Sequence, residues 1–156
     1  MGKNLTDFTI PDSVQYTIFE EKISFVSLGR LSPRMVEFII SKRPDLKEIL
    51  SPDRDILFWK DRISHTERHK KDFISENEFM RCFKEIPKII HCPDYISVHP
   101  KDNSISFIKD LSMHVSVAVK ISSDGKMSYR TMYPLMDAQL SHYIDLGHAW
   151  KYDKSD

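Results

Sequence analysis

The strongest constraint on the fold is a change in hydrophobic period near Pro93. Before this residue, apolar side chains mostly recur three and four positions apart, as on a helix with one buried face. The exceptions are short extended segments at 16–19 and 23–26 and a short buried strand at 55–59, which leads into the histidine segment. After it, apolar and polar residues alternate, which predicts four strands at 95–98, 104–108, 114–121 and 127–133. Because short turns separate the later strands, they should form an antiparallel meander.

The part before Pro93 predicts helices with recognisable starts and stops. Ser32 reads as an N-cap before a first-turn proline, and this helix should end near Arg43. Ser75 and Glu78 form a capping pair for a second helix, which Pro87 ends or kinks. The predicted fold is therefore α+β, with N-terminal helices packed on one face of a four-stranded antiparallel meander sheet and the other face available.

The hairpin between the last two strands decides which side chains share a face. Residues 122–126 fit a three-residue loop whose glycine takes the left-handed position, so the first and last residues pair. That register places Lys120 opposite Ser128 and Ala118 opposite Arg130. The two basic side chains and Ser128 should then share the open face of the sheet.

The same register sends the other set of side chains, which includes Thr131 and Tyr133, toward the helices and the core. A two-residue turn at Asp124-Gly125 would shift the pairing by one residue and put Lys120 opposite Tyr129. The assignment of faces therefore depends on the turn.

Composition sets the broad class. The chain has 156 residues, of which 40% are hydrophobic and 29% charged, so one globular domain can bury its own core. We expect a flexible arm at 1–15, a single domain at 16–148 and a polar tail at 149–156. Cys82 and Cys92 are ten positions apart, which matches no disulfide or metal framework. Without a signal peptide or a long apolar run, the expected location is the cytoplasm.

A segment of eight residues, Ser64 to Lys71, contains the side chains best suited to catalysis. His65 and His69 are four apart, so a helix would place both imidazoles on one face. Ser64 and Glu67 read as a capping box, which would begin this helix beside His65. The positive end of the helix dipole would then disfavour the charged imidazole and suit it to act as a general base.

Charge around this segment is local, because the 23 basic and 23 acidic residues of the chain cancel. Any contact with nucleic acid must therefore come from a patch. The basic residues that would form it are Lys60, Arg62, Arg68, Lys70 and Lys71.

Several motifs in order resemble a known family. They are Leu28-Gly29-Arg30-Leu31, the segment Ile63 to His69, the helix end Ile89 to Asp94, Val117 to Lys120, and Tyr129 to Tyr133. Together they look like the phage-associated PBECR nucleases, the phage branch of the barnase, EndoU, colicin and RelE-like group. The resemblance spans roughly residues 20 to 147. It implies N-terminal helices before a four-stranded antiparallel sheet, and a metal-independent ribonuclease activity of prophage or toxin type.

Metal-free RNA cleavage needs a base, an acid and cations around the phosphorane. Either His65 or His69 is the predicted general base, with the other as acid or phosphate contact. Lys120, with Arg68 or Arg130, would contact the phosphoryl oxygens. The expected products end in 2′,3′-cyclic phosphate, and no cofactor is expected.

The remaining predicted site residues complete the substrate contacts. The resemblance places Thr131, counted with the catalytic residues, and Tyr133 against the substrate. Ser128 joins the substrate-binding set through the register of the hairpin. RNA is the predicted partner, and an inhibitor or immunity protein is a second candidate partner.

Two alternatives stay open from the sequence. His65 and His69 have a spacing that would suit zinc, with His91 or His99 as a third ligand. The second alternative is a non-catalytic module that binds RNA or protein through the same basic helix.

Overall fold

A mixed sheet of eight strands runs through the part of the chain that the computed structural model describes, which is residues 2–4, 25–111 and 113–152. In spatial order the strands are β1, β2, β3, β7, β6, β5, β4 and β8. Their bounds are β1 Gly2–Asn4, β2 Phe25–Arg30, β3 Asp55–Trp59, β4 Tyr95–Val98, β5 Ser104–Asp110, β6 His114–Ile121, β7 Met127–Leu135 and β8 Ala149–Lys151.

Five α-helices are described in the same ranges: α1 Pro33–Lys42, α2 Arg62–Glu67, α3 Glu76–Lys84, α4 Ile86–His91 and α5 Asp137–Asp145. Short 3₁₀ helices follow at Pro44–Glu48 and Lys70–Asp72. The predicted caps of α1 and α3 are confirmed, since Ser32 accepts from Met35 N and Ser75 accepts from Glu78 N, both at 3.1 Å. The predicted break at Pro87 separates α3 from α4.

The prediction of an α+β fold is correct, but the predicted sheet was too small. Strands β4 to β7 form the expected antiparallel meander. Strand β3 then adds in parallel to β7, β2 follows β3, and β8 adds to β4. These additions come from distant parts of the chain. They cover strand edges that would otherwise present unpaired N–H and C=O groups.

The predicted polar tail is wrong for residues 149–152. Residues 149–151 form β8, and Tyr152 is buried with its ring 5.0 Å from that of Phe38 on α1. The arm predicted at 1–15 lies outside the described residues except for β1, which pairs in parallel with β2. No helix in the described ranges is long and apolar enough to cross a membrane.

The two faces of the sheet are covered unequally. Helices α1, α3 and α4 pack on one face and form the main core with β5, β6 and β7. On the other face, which we call the open face, α5 covers one end. There Leu140 packs with Ile108, Leu135 and Ala149 in a small second cluster. The rest of the open face is left concave and carries the site described below.

The hairpin register is confirmed at the turn and broken farther along. Ser122 N donates to Lys126 O at 2.9 Å, and Lys120 lies opposite Ser128. A β-bulge at Arg130 then adds one residue to β7, so Ala118 pairs with Thr131 rather than with Arg130. The extra residue reverses the alternation of every later side chain.

The bulge corrects two predictions about faces. Thr131 and Tyr133 are half-buried on the open face, beside Ala118 and Ser116, rather than turned into the main core. Met132 takes the core position instead and is fully buried.

Candidate active site

Helix α2 docks against the edge of β7 at the point where strand pairing ends. In the described chain β3 pairs with β7 at Ile56–Met127 and Leu57–Ser128, just before the bulge. The carbonyl of Arg130 then accepts hydrogen bonds from Nε and Nη2 of Arg62, at 3.0 and 2.7 Å. A carbonyl that the bulge takes out of the ladder is thereby satisfied, as exposed strand edges require.

A second contact fixes α2 from the core side. The hydroxyls of Thr66 and Tyr129 are 2.6 Å apart and share a buried hydrogen bond. The Tyr129 ring stacks on Phe58 of β3, with centroids 4.3 Å apart and planes 6° from parallel. Burial raises the pKa of the Tyr129 hydroxyl far above its ordinary value, so the group is neutral and structural.

The start of this helix differs from the prediction. It begins at Arg62, so Ser64 is its third residue and no side chain caps its N-terminus. It ends at Glu67, which leaves His69 in the turn that follows. His65 therefore lies in the body of a short helix. The turn, and not a continuous helix, brings His69 near it.

The two histidines nevertheless form a pair. Their ring centroids are 6.1 Å apart, and the His69 ring is 5.9 Å from that of Tyr133 on the open face. The Nδ1 atom of His69 lies 2.9 Å from a carboxylate oxygen of Asp72. This contact fixes the ring orientation and leaves Nε2 for other partners.

The pKa of His65 is lowered from its ordinary value. Burial is the largest cause, followed by the charges of Arg62 and Arg68, then His69 and Arg130. The direction matches the prediction, but the cause is loss of solvent and neighbouring cations rather than the helix dipole. His65 is consequently neutral near pH 7 and able to accept a proton.

A groove of about 520 Å³ occupies the concave part of the open face. Its floor is a row of small residues across neighbouring strands, Ser97, Ser106, Ala118 and Thr131. The loop at 99–102 lines one side, and Tyr143 of α5 and His148 line another. Arg130 and Tyr133 also line the groove, and Tyr133 joins it to the histidine pair.

The loop on one side of the groove is held in place by Arg43. Its guanidinium donates to the carbonyls of His99 and Asp102 and to the side-chain oxygen of Asn103, at 2.6 to 3.0 Å. The backbone N–H groups of Lys101 and Asp102 donate to Nδ1 of His99. The loop that lines this side of the groove is thus held in place without a ligand.

The structure gathers some of the predicted site residues and separates others. His65, His69, Arg130, Thr131 and Tyr133 lie along the junction of α2, the bulge and the groove.

Three predicted residues lie away from this junction. Lys120 and Ser128 face each other nearer the hairpin turn, where Lys120 forms an ion pair with Asp102. Arg68 lines a separate shallow depression with Lys70 and Lys71, although its charge reaches His65.

The zinc hypothesis lacks its third ligand. Nε2 of His91 lies 2.6 Å from the carbonyl of Leu28, behind the sheet, and Nδ1 of His99 accepts the loop hydrogen bonds. Among the described residues, no group of three His, Cys, Asp or Glu side chains is placed to hold a metal ion.

Three residues beside the site are absent from the predicted site set, although Arg62 was predicted as part of the basic patch. Arg62 lies three positions before His65, a spacing that pointed to the same helix face. Asp72 lies three positions after His69, which is a usual spacing for a carboxylate that orients an imidazole. Ser116 alternates with Ala118 and Lys120 along β6, so the sequence places it on the open face, but nothing in the sequence marks it as a site residue.

Comparison with known families gives one match. The model of a family described as phage-Barnase-EndoU-ColicinE5/D-RelE like nuclease 3 matches residues 39–142. This range contains the histidine pair, the bulge and most of the groove. No curated protein and no solved structure matches the chain.

Proposed function

The chain belongs to the phage-Barnase-EndoU-ColicinE5/D-RelE like nuclease 3 family, and we propose that it is a metal-independent endoribonuclease with His65 and His69 as its catalytic pair. The observation that carries this proposal is the row from His65 through His69 to Tyr133, which ends in the open groove. A nuclease of this class acts on nucleic acid, and the choice of RNA rests on the chemistry of the pair.

Two imidazoles can cleave RNA because the ribose carries its own nucleophile. The 2′-oxygen attacks phosphorus and forms the P–O2′ bond while His65 takes the 2′-hydroxyl proton. The P–O5′ bond breaks, and protonated His69 gives its proton to the departing O5′. The products are a 2′,3′-cyclic phosphate end and a 5′-hydroxyl end.

The roles follow from the surroundings of each ring. Burial and neighbouring cations keep His65 neutral, which suits the base. The Asp72 carboxylate holds Nδ1 of His69 and leaves Nε2 to donate to the leaving group. With ring centroids 6.1 Å apart, the two side chains are close enough to contact the same phosphate.

Charge on the phosphorane needs donors close by. Arg130 is exposed at the bulge beside the groove, and the backbone contact of Arg62 uses two of its five N–H groups. The Thr131 side chain lies on the groove floor, where we propose that it contacts the substrate with Tyr133.

The residues outside this junction are proposed as contacts to flanking phosphates. Lys120 and Ser128 would meet one side of a longer RNA, and Arg68 the other. The prophage or toxin setting, the cytoplasmic location and an inhibitor partner stay predictions.

The test is cleavage of a mixed RNA in EDTA by the wild type and by His65→Ala and His69→Ala variants. We expect fragments ending in 2′,3′-cyclic phosphate from the wild type, and a loss of at least about 100-fold in each variant. His142→Ala is the matched control, because this exposed histidine on α5 is outside the groove lining.

Two results would overturn the catalytic proposal. The first is intact RNA with folded wild-type protein, and the second is equal cleavage by all four proteins. If the RNA stays intact but binds, and binding falls with Arg68→Ala or Lys70→Ala, the chain is a binding module instead.

A further inference from the structure

The deepest part of the groove has a chemistry different from that of its rim. Cations gather at the rim, where Arg62 and Arg130 act on His65. Among the described residues that line the groove, the charged ones are Arg130 and Asp102, and the others are hydroxyl, aliphatic, aromatic or imidazole side chains. A phosphate would favour the rim, whereas the interior suits a neutral and flat group.

Two hydroxyls in this interior lack the partner that a buried polar group requires. Ser116 is 1% exposed, and in the described chain neither its Oγ nor Thr131 Oγ1 has a hydrogen-bond partner. Ser116 pairs with Tyr133 and Ala118 pairs with Thr131, so the two hydroxyls are diagonal neighbours on one face. Unpartnered buried hydroxyls are costly, and the two residues that carry them line the groove.

Aromatic side chains stand beside these hydroxyls. Tyr133 and Tyr143 both line the groove, and both pack against the small cluster beneath α5. Aromatic rings give nucleobases a surface for stacking, while nearby hydroxyls can bond to the base edges. The volume of about 520 Å³ is in the range of small-molecule sites.

We infer that this end of the groove, formed by Ser116, Thr131, Tyr133 and Tyr143, is a nucleobase subsite that gives the enzyme a base preference. The inference rests on the proposed function, because Tyr133 also contacts His69. A base seated beside Tyr133 therefore belongs to a nucleotide next to the phosphate between the histidines. Rotation of the Ser116 and Thr131 side chains lets their buried hydroxyls bond to the edge of that base.

The experiment measures binding without cleavage. The probes are 2′-deoxy dinucleotides, which lack the nucleophile, differing in one base, together with a dinucleotide in which that base is replaced by hydrogen. Calorimetry gives the affinity of each for the wild type, for Ser116→Ala and for Ser141→Ala. Ser141 is an exposed control serine on α5 that does not line the groove.

We expect the wild type to prefer one base and to bind the abasic probe more weakly. Ser116→Ala should lower affinity for the preferred base by about 5- to 10-fold, as loss of one hydrogen bond predicts. It should leave affinity for the abasic probe unchanged, and Ser141→Ala should match the wild type. Ser116→Ala should fold at least as stably as the wild type, since it removes a hydroxyl that has no partner.

Failure of the subsite proposal gives a different experimental result from failure of the ribonuclease proposal. Equal affinity for the base-containing and abasic probes, or no effect of Ser116→Ala, overturns the subsite even when RNA is cleaved. Base-dependent binding that Ser116→Ala weakens supports the subsite even when RNA stays intact, and the ribonuclease proposal then fails alone.

Discussion

Thr66 and Tyr129 join helix α2 to the sheet through a buried hydrogen bond of 2.6 Å between their side-chain oxygens. Thr66 follows His65 directly, and Tyr129 precedes the bulge that exposes Arg130 and turns Thr131 onto the open face. One hydrogen bond thus connects the helix that carries His65, one of the two proposed catalytic histidines, to the strand that carries the proposed substrate contacts. The geometry of the proposed site depends on this junction.

Thr66→Val should destabilise the protein and slow RNA cleavage. The valine keeps the shape of threonine but leaves the Tyr129 hydroxyl buried without a partner, at a cost of about 1–3 kcal/mol. Urea unfolding measures the stability, and single-turnover cleavage measures the rate. The double variant Thr66→Val/Tyr129→Phe should recover part of the stability, because both polar groups are then gone. Equal urea unfolding midpoints for the wild type and Thr66→Val would show that the hydrogen bond does not contribute to stability.

Arg68→Met should raise the pKa of His65 toward the ordinary histidine value. Arg68 is one of the cations that lower this pKa, and it is exposed, so its removal changes charge with little change in packing. The pKa is read from an NMR titration of the His65 ring protons. The acid limb of the cleavage profile should move to higher pH with it, since His65 is the proposed base. Lys126→Met, in the distant hairpin turn, is the control, and an unmoved His65 titration in Arg68→Met would contradict the expectation.

His114 should make the protein more stable at acidic than at alkaline pH. Burial lowers its pKa, but hydrogen bonds to the Asp110 and Asp137 carboxylates outweigh burial and raise it above the ordinary value. A neutral imidazole can donate to one carboxylate, so deprotonation gives up one of the two contacts. The stabilisation is complete below the unfolded-state pKa of about 6.5 and is lost as pH rises through the raised folded-state value.

The variant that tests the two carboxylate contacts of His114 is His114→Gln. Because Asp137 is largely exposed, we expect a loss of a few tenths to about 1 kcal/mol near pH 5.5, and a smaller loss near pH 8.5. Urea unfolding at both pH values provides the measurement. A loss that is the same at both pH values would mean that His114 acts by packing alone.

Lys120 should contribute to RNA affinity through charge, in competition with Asp102. The two side chains form an ion pair in the free protein. If Lys120 contacts a phosphate, Lys120→Met should weaken RNA binding and reduce the salt slope of log K by about 0.7. Asp102→Asn should strengthen binding, because it releases the ammonium. Fluorescence titrations across a salt series measure both, and an unchanged slope in Lys120→Met would remove the residue from the interface.

The accuracy of the sequence predictions follows how local each signal is. The caps at Ser32 and Ser75 are set by residues three positions away, and both are observed. The left-handed conformation of Gly125 fixed the turn and the Lys120–Ser128 pair next to it. The capping box at Ser64 was wrong, because the docking of Arg62 on the sheet begins the helix three residues earlier.

Sequence alone determined most of the helical and strand-forming segments and the meander, because hydrophobic period, caps and turn residues act over a few positions. It also predicted that His65 and His69 lie close together, although a turn rather than a continuous helix brings them there. Tertiary structure decided the rest. Strands β3 and β8 joined the sheet because its edges needed partners, and the Arg130 bulge turned Thr131 and Tyr133 onto the open face. The bulge depends on what docks beside the strand, which here is Arg62 from a distant helix. The alternation of apolar and polar residues along β7 does not predict that contact.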